Sequence, residues 1–475
     1  MSPELLAASH RGRYTYRRRG KRLVGVRGGG GLINAVGAAL ERTGGTWIAA
    51  ASSPGDHELA RTEPAGRQED GFVLRLLDLP SETHRLHYEV VSNEYLWFLL
   101  HYLFDVHTQP RFDAAFARAW DAYGEINRMY AEALAKAGKA DAILIEDYHL
   151  MLVGAELRRL RRHRGTPLLY FQHTPWCEPD YFGLLPTQVG VEILAGLLAH
   201  DVVGFHARRW ADAFLACCDR HLPKASVDAG SVTYRGRTTQ VIVAPVPLDA
   251  ESVRAEAASA QTEAWMSHIA EERGDRTLLV RVDRLDLSKN ALRGFLAFEE
   301  LLERRPDLAG DVWFLALVYP SRLTVDRYRR YFGDCLEVVE RINERFGAGA
   351  PGDEGPLGLH FEDDHPRSLA AMRSSDVLLV NPVFDGLNLV AKEGAAINER
   401  NGSLILSRNA GVFEELGAAA LAVNPFDVTA TADAIEQAID MPTTERKRRA
   451  SRLRRLATKT APEDWVRVRL GAAGL

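Results

Sequence analysis

The chain has 475 residues, of which 46% are hydrophobic and 26% charged, a composition typical of a globular protein with two or three domains. Its 59 Lys and Arg residues and 64 Asp and Glu residues give a formal charge of −5, which disfavours nucleic-acid binding because that binding depends on cations that neutralise phosphates. Four cysteines are too few for a disulfide framework, and no apolar run approaches the ~20 residues of a membrane span, so we expect a cytoplasmic protein that binds neither membranes nor nucleic acid.

Short runs rich in Val, Ile and Leu alternate with segments of helical periodicity. The clearest runs are 142–145, 168–171, 202–205, 241–243, 278–280, 314–317, 377–380 and 404–406. Runs this short and this continuously apolar predict buried strands of parallel sheets joined by helices. A Pro-interrupted turn at 244–247 precedes a polar helical stretch, which predicts a boundary there between two doubly wound α/β halves. Ligands of such sheets bind beyond the carboxyl ends of the strands.

Several residues of the first half are candidates for ligand binding. Glycines 28–31 precede a helical segment, and a helix N-terminus can bind phosphate, although the motif is not the GxGxxG of dinucleotide-binding folds. Asp147 and His173 each follow a predicted strand, where such residues are either structural or ligand-binding. Three aromatic residues are either core residues or a platform for a sugar ring. They are Trp47, Tyr88 and Trp97.

Cations follow two successive strands of the second half. Arg284 and Lys289 come directly after the run at 278–282, and Arg322 comes after the next strand. A planar guanidinium together with a compact ammonium suits a diphosphate, although the spacing is equally compatible with two surface cations.

A third strand of the second half ends close to acidic residues. Asp385 stands between this strand and a helix, so it either caps the helix or precedes backbone N–H groups, at 386–389, that bind an anion. Glu393, about two turns further along, either accepts hydrogen bonds from sugar hydroxyls or faces solvent.

Taken in chain order, these segments resemble the trehalose-6-phosphate synthase family of retaining glucosyltransferases. The matching segments are Ser9-His-Arg, Ser92-Asn-Glu-Tyr-Leu-Trp, Asp147-Tyr-His-Leu, His173-Thr-Pro, Arg284-Leu-Asp-Leu-Ser-Lys, Asp385-Gly-Leu-Asn-Leu-Val-Ala-Lys-Glu and Val423-Asn-Pro. The resemblance implies the GT-B arrangement of two facing Rossmann-like domains with the active site in the cleft between them. We expect an acceptor domain at 1–247, a nucleotide-sugar domain at 248–445, and a C-terminal helix at 446–475 that packs back on the first domain.

The resemblance also implies a role for each candidate residue. The donor site would comprise Gly31, Arg284, Lys289, Asp385, Gly386, Leu387, Asn388, Leu389 and Glu393. The acceptor site for glucose 6-phosphate would comprise Arg11, Trp47, Tyr88, Trp97, Asp147 and Arg322, with the two arginines on the phosphate. The residues expected to be catalytic are Arg284, Lys289, His173 and Asp147. The resemblance implies glucose transfer with retention, and no metal or cofactor is expected.

Four positions depart from the family's usual residues, and they are Glu146, Pro247, Asn290 and Phe384. The resemblance implies a slight preference for GDP-glucose over UDP-glucose, because some relatives with a Lys-Asn pair, as at Lys289 and Asn290, favour GDP-glucose, while relatives that use cyclitol donors carry the pair as well. The alternatives are a cyclitol nucleotide as donor, glycerol 3-phosphate as acceptor, or a non-catalytic sugar-phosphate sensor. A homo-oligomer is also possible.

Overall fold

The computed structural model describes residues 3–160, 163, 165–322, 325–349 and 355–475. The chain forms two compact units, of which the first comprises Met1–Val246 with Pro462–Leu475 and the second comprises Pro247–Ala461. Each unit is built on a parallel sheet with helices between its strands, so both are Rossmann-like. Among the described residues, no helix is both long enough and apolar enough to cross a lipid bilayer.

The first unit contains a ten-stranded sheet and a separate hairpin. Its strands are β1 (Leu5–Ala8), β2 (Tyr14–Arg19), β3 (Arg22–Arg27), β4 (Thr46–Ala50), β5 (Arg67–Glu69), β6 (Phe72–Leu77), β7 (Ala142–Glu146), β8 (Leu168–Gln172), β9 (Val202–Phe205), β10 (Ser226–Asp228), β11 (Ser231–Tyr234) and β12 (Arg237–Val243). The sheet order is β10-β11-β12-β9-β8-β7-β1-β4-β6-β5, in which the pairs from β12 to β6 are parallel. Strands β2 and β3 form the antiparallel hairpin.

Helices cover the sheet of the first unit. They are α1 (Gly31–Thr43), α2 (Pro54–Thr62), α3 (Ser81–Arg85), α4 (Trp97–Leu100), α5 (Ala114–Lys136), α6 (Val153–Arg159), α7 (Pro179–Phe182), α8 (Thr187–Leu197) and α9 (Arg208–His221), with a π-helical segment at Leu86–Leu96 and a 3-10 turn at Tyr148–Leu150. Strands β7, β8 and β9 are buried along their whole length, so the side chains that follow them are the ones available to a ligand.

The second unit contains a six-stranded, wholly parallel sheet. Its strands are β13 (Thr277–Leu285), β14 (Val312–Pro320), β15 (Leu357–His360), β16 (Val377–Val380), β17 (Ser403–Ser407) and β18 (Leu421–Val423), in the order β15-β14-β13-β16-β17-β18. Its helices are α10 (Ala250–Ala257), α11 (Ala260–Arg273), α12 (Ala291–Arg304), α13 (Asp326–Phe346), α14 (His365–Ser374), α15 (Leu389–Ile397), α16 (Phe413–Leu416), α17 (Val428–Ile439) and α18 (Thr443–Ala457), with 3-10 turns at Leu287–Lys289, Pro306–Ala309 and Gly347–Gly349. Phe295 and Phe298 of α12 pack against Phe314 of β14 and fix this helix on the sheet.

The end of the chain differs from the expected helix at 446–475. Helix α18 buries Ala450, Leu453 and Ala457 and packs within the second unit against α15. Pro462 begins a new helix, α19 (Pro462–Ala472), which packs against α1, β9 and β12 of the first unit. Residues 446–461 therefore belong to the second unit, because the apolar face of α18 is buried there, and only the last helix returns to the first unit.

Candidate active site

The carboxyl ends of β13 and β16 bring a lysine and an aspartate together in the second unit. These strands are parallel neighbours, so the turns that follow them lie at one edge of the sheet. Lys289 ends the 3-10 turn after β13, and its Nζ lies 2.6 Å from Oδ2 of Asp385. Arg284, at the end of β13, lies near the carboxylate of Asp286 with its side chain about one-third exposed. The structure therefore brings together three of the predicted donor residues.

Buried charged residues also lie at this edge of the sheet. Arg281 is fully buried, and it donates to Asp283 at 3.1 Å and to Oδ1 of Asn381 at 2.5 Å. Burial raises the pKa of Asp283, although Lys289 and Arg281 oppose the shift. Burial also disfavours the charged ammonium of Lys289, but Asp385 and Asp283 outweigh that effect and raise the pKa of Lys289. Lys289 therefore remains a cation at neutral pH.

Helix α15 begins at the same edge. Asn388, with a positive φ of 85°, caps the helix by accepting from the backbone N–H of Ala391 at 3.1 Å. Its amide donates to Asp385, so Asp385 supports the cap and is not itself the N-cap residue. Residues 386–389 lie at the helix N-terminus, where the helix dipole favours an anion.

Glu393 lies within the first turns of α15 and is partly exposed. Burial raises the pKa of Glu393, the nearby His365 opposes the shift and Glu256 adds to it. Over the described ranges, its carboxylate has no hydrogen-bond partner in the protein, so its oxygens are available to accept from a ligand.

Arg322 contacts the same carboxylate as Arg284, that of Asp286. Its guanidinium donates to the carboxylate of Asp286, and it lies 3.2 Å from the hydroxyl oxygen of Tyr328. Arg284 and Arg322 thus share one buried carboxylate, which concentrates positive charge at the end of β13 and β14. The predicted role of Arg322 on the acceptor phosphate stays a prediction.

In the first unit, β7 and β8 place Asp147 next to His173. Asp147 has φ 72° and ψ 166°, a region that residues other than glycine rarely occupy, and its backbone is held by a bond from its N–H to the carbonyl of Phe171. Its Oδ1 accepts from the backbone N–H of His173 at 3.2 Å. Burial raises the pKa of Asp147. Strained residues cluster at functional sites, so this conformation supports a ligand-binding role.

The imidazole of His173 contacts Glu146, which in turn contacts Arg469, and both of these charged side chains are fully buried. Its Nε2 lies 2.9 Å from Oε2 of Glu146, and Oε1 of Glu146 lies 2.8 Å from Nη2 of Arg469 on α19. Burial raises the pKa of the Glu146 carboxyl, but Arg469 and His173 outweigh it, so the net shift is downward. The sequence interpretation did not include Arg469. The available signal was its position one turn after Trp465, on the apolar face of the helix, whereas Arg467 of the same helix is exposed.

The predicted acceptor aromatics differ in their exposure. Tyr88 is partly exposed, and its hydroxyl accepts from Nη2 of the exposed Arg11 at 3.1 Å. Trp47 is fully buried, and its indole N–H donates to Ser9, because β4 lies between β1 and β6 inside the sheet. The role of Trp47 in the acceptor site stays a prediction. Trp97 is 7% exposed and stacks on His101, so it is mainly a core residue.

Gly31 begins α1 and belongs to the first unit, whereas the other predicted donor residues belong to the second unit. The preceding Gly30 has φ 114°, which requires glycine, and a Cβ atom on Gly29 or Gly30 would meet nothing within 4 Å. The helix therefore starts in an open glycine-rich turn that is compatible with an approaching phosphate.

Comparisons with known proteins identify close relatives over the whole chain. The sequence profile of glycosyltransferase family 20 matches residues 4–472. The chain is 34% identical over 460 residues to trehalose-6-phosphate synthase of Mycolicibacterium vanbaalenii, with 93% of this chain and 90% of the relative covered.

Solved structures show the same fold. A trehalose-6-phosphate enzyme from E. coli bound with UDP-2-fluoro glucose is similar with a TM-score of 0.85 and 28% identity, covering 98% of each chain. A UDP-forming alpha,alpha-trehalose-phosphate synthase from Burkholderia xenovorans in complex with glucose-6-phosphate has a TM-score of 0.84 and 25% identity, covering 98% of this chain and 99% of that chain. These similarities confirm the predicted α/β fold class with two Rossmann-like units.

Proposed function

The chain belongs to glycosyltransferase family 20, and from that membership we propose that it transfers glucose from a nucleoside-diphosphate glucose to glucose 6-phosphate. The products are α,α-trehalose 6-phosphate and the nucleoside diphosphate, with the donor's anomeric configuration retained. The observation that carries the proposal is the group of cations at the end of β13, beside the N-terminus of α15.

The donor half of the proposal rests on charge. A departing diphosphate gains negative charge as the bond to the glucose C1 breaks, so preorganised cations lower the barrier. Arg284 and Lys289 supply the cations, and the N-terminus of α15 supplies aligned dipoles. Glu393, whose carboxylate is available, accepts hydrogen bonds from the sugar hydroxyls of the nucleotide.

The chemical step requires no enzyme nucleophile. The acceptor's anomeric hydroxyl attacks C1 from the face that the diphosphate leaves, the C1–O bond to phosphate breaks, and the hydroxyl proton passes to a diphosphate oxygen. The transition state has oxocarbenium character, so catalysis consists of positioning and charge stabilisation. We assign the positioning of the donor glucose to His173 and that of the acceptor sugar to Asp147, whose conformations are fixed by Glu146 and by the Phe171 carbonyl.

The proposed acceptor contacts are Arg11 and Tyr88, with Arg322 as the second phosphate ligand. Cations of this kind favour an acceptor that carries an anion. Free glucose is therefore expected to react far more slowly than glucose 6-phosphate. Trp47 and Trp97 are the remaining proposed contacts to the hexose, and glycerol 3-phosphate is the second acceptor to test.

We propose UDP-glucose as the donor, because the relatives from E. coli and Burkholderia xenovorans are described with UDP. The preference for GDP-glucose, drawn from Asn290, stays a prediction. The side-chain nitrogen of Asn290 donates to the backbone carbonyls of Asn381 and Pro425, and its side-chain oxygen accepts from Arg293. Both polar atoms of this side chain therefore have partners within the protein.

One experiment tests donor and acceptor together. UDP-, GDP- and ADP-glucose are each combined with glucose 6-phosphate, glucose and glycerol 3-phosphate, and the products are identified by mass spectrometry and NMR. We expect trehalose 6-phosphate from UDP-glucose and glucose 6-phosphate as the fastest reaction. If substrates raise the melting temperature but no pair gives product, the protein is a sugar-phosphate sensor and the proposal is wrong.

A further inference from the structure

A cluster of three histidines lies in the first unit. His10 follows β1, His84 lies in α3 and His87 lies in the π-helical segment. One ring nitrogen from each histidine lies within 4.8 Å of those of the other two, and the Nε2 atoms of His10 and His84 are 2.9 Å apart. The turn after β1 and the continuous helical stretch 81–96 therefore bring three imidazoles close together.

The hydrogen bonding of His87 determines which of its nitrogens is available. Its Nε2 lies 2.9 Å from the backbone carbonyl oxygen of His149, and this contact requires the proton on Nε2. Nδ1 then carries a lone pair, and it is buried without a hydrogen-bond partner in the described part of the chain. A backbone carbonyl that accepts from one ring nitrogen while the other is left available is the usual support of a metal-binding histidine. Nδ1 of His10 is likewise buried and has no partner among the described residues.

We propose that His10, His84 and His87 bind one divalent transition-metal ion, zinc or a metal of similar preference, through three imidazole nitrogens. Neutral nitrogen ligands select this class over magnesium and calcium, which prefer oxygen ligands. Three protein ligands leave a fourth coordination position for water or another ligand. The ion has no part in the glucosyl transfer proposed above.

The site has a direct connection to the proposed acceptor contacts. The ring of His10 stacks on Tyr88 at 4.2 Å between centroids and 3° between planes, and the Tyr88 hydroxyl accepts from Arg11. An ion that fixes His10 would fix Tyr88 as well. This consequence rests on the proposed function and predicts that zinc changes the KM for glucose 6-phosphate more than the KM for the nucleotide sugar.

Metal binding itself is tested without any activity assay. The full chain, without an affinity tag and stripped of metal with a chelator, is titrated with Zn²⁺ by calorimetry and, separately, with Co²⁺ by absorption spectroscopy. We expect about one Zn²⁺ per chain and an intense tetrahedral Co²⁺ spectrum. Failure of the wild-type chain to bind zinc, or a weak spectrum like that of aqueous Co²⁺, would overturn the proposal, whatever the outcome of the enzyme assays.

Two variants locate the site. His84→Gln removes a half-buried ligand at a helix end, and we expect the affinity for zinc to fall at least ~10-fold. His107→Gln is the matched control, because His107 is 81% exposed and lies outside the cluster, and it should bind like the wild type. Equal affinity in both variants would place the zinc elsewhere. If circular dichroism shows that His84→Gln does not fold, the Co²⁺ spectrum of the wild type decides whether the chain binds the metal.

Discussion

Glu146 is a fully buried carboxylate between the imidazole of His173 and the guanidinium of Arg469. Removing one member of a buried ion pair leaves the other charge without compensation in a medium of low polarity. The pair thus fixes His173, and it also makes the stability of the first unit depend on α19.

Replacing Glu146 by Gln is expected to lower the free energy of unfolding by about 3 kcal/mol, because Arg469 stays buried without its anion. Urea unfolding measures the change. The control is Glu82→Gln, which breaks an exposed pair with Arg85 and should leave the free energy of unfolding close to that of the wild type. The double variant Glu146→Gln/Arg469→Met should be more stable than Glu146→Gln alone, and equal stabilities would show that the two side chains are not coupled.

The carboxylate of Glu146 also predicts how the free energy of unfolding depends on pH. Because the pKa of Glu146 is lower in the folded than in the unfolded chain, its stabilising contribution is complete above the unfolded value of about 4.5 and is lost as the pH falls through the folded pKa. The difference in unfolding free energy between wild type and Glu146→Gln should therefore be constant from neutral pH down to about 5 and shrink below that. A difference that grows on acidification would contradict the assigned shift.

Arg284 is the residue on which the proposed transition-state stabilisation depends most. Arg284→Ala should reduce kcat by ~100- to 1000-fold, the usual effect of removing one preorganised donor. Arg304→Ala is the control, since Arg304 lies on the outside of α12 and pairs with Asp433, and its rate should match the wild type. Rates within about threefold of wild type for Arg284→Ala would be incompatible with its role.

At the scale of elements, Asn290 joins β13, α12 and the segments after β16 and β18. It adopts a left-handed conformation, φ 62° and ψ 38°, and donates to the carbonyls of Asn381 and Pro425 at 2.9 Å and 2.7 Å. Glycine accepts the same backbone conformation but makes none of these bonds.

Asn290→Gly should therefore lower stability by about 1–3 kcal/mol through two lost buried hydrogen bonds, while the ratio of kcat/KM for UDP- and GDP-glucose stays unchanged. Thermal or urea unfolding and the donor panel measure the two effects. A changed donor ratio would assign Asn290 to the donor base, as the sequence resemblance suggested.

Most elements of the second unit, but fewer of the first, could be predicted from sequence. Strands such as β7 and β16 can be recognised in the sequence, because burial on both faces produces a continuous run of apolar residues. Strands β4 and β6 were not predicted, because β4 is rich in alanine and β6 has Arg75 within its apolar sequence. The core position of Trp47 depends on these two strands, so its burial could not be predicted before the sheet order was known.

The candidate site likewise contains one contact that the sequence can indicate and one that it cannot. The Lys289–Asp385 pair follows from two adjacent parallel strands, which sequence periodicity can indicate. The contact of Arg469 with Glu146 depends instead on where the last helix returns, and no local pattern encodes that position.

At the scale of the whole molecule, the first unit is completed by the last helix of the chain. Trp465 of α19 is buried, its indole N–H donates to the carbonyl of Ala244 at 2.9 Å, and Arg469 stacks over its ring while pairing with Glu146.

Deletion of Pro462–Leu475 removes this packing together with the cation beside Glu146, whereas deletion of the last three residues, 473–475, keeps both. Hydrogen exchange of the longer deletion should accelerate in β7, β8 and β9 and stay unchanged in β13 and β16, because the second unit has its own core. The shorter deletion should exchange like the intact chain. Equal acceleration in both sheets would mean that the two units do not unfold separately, and unchanged exchange in β7 would mean that α19 does not stabilise the strand that carries Glu146.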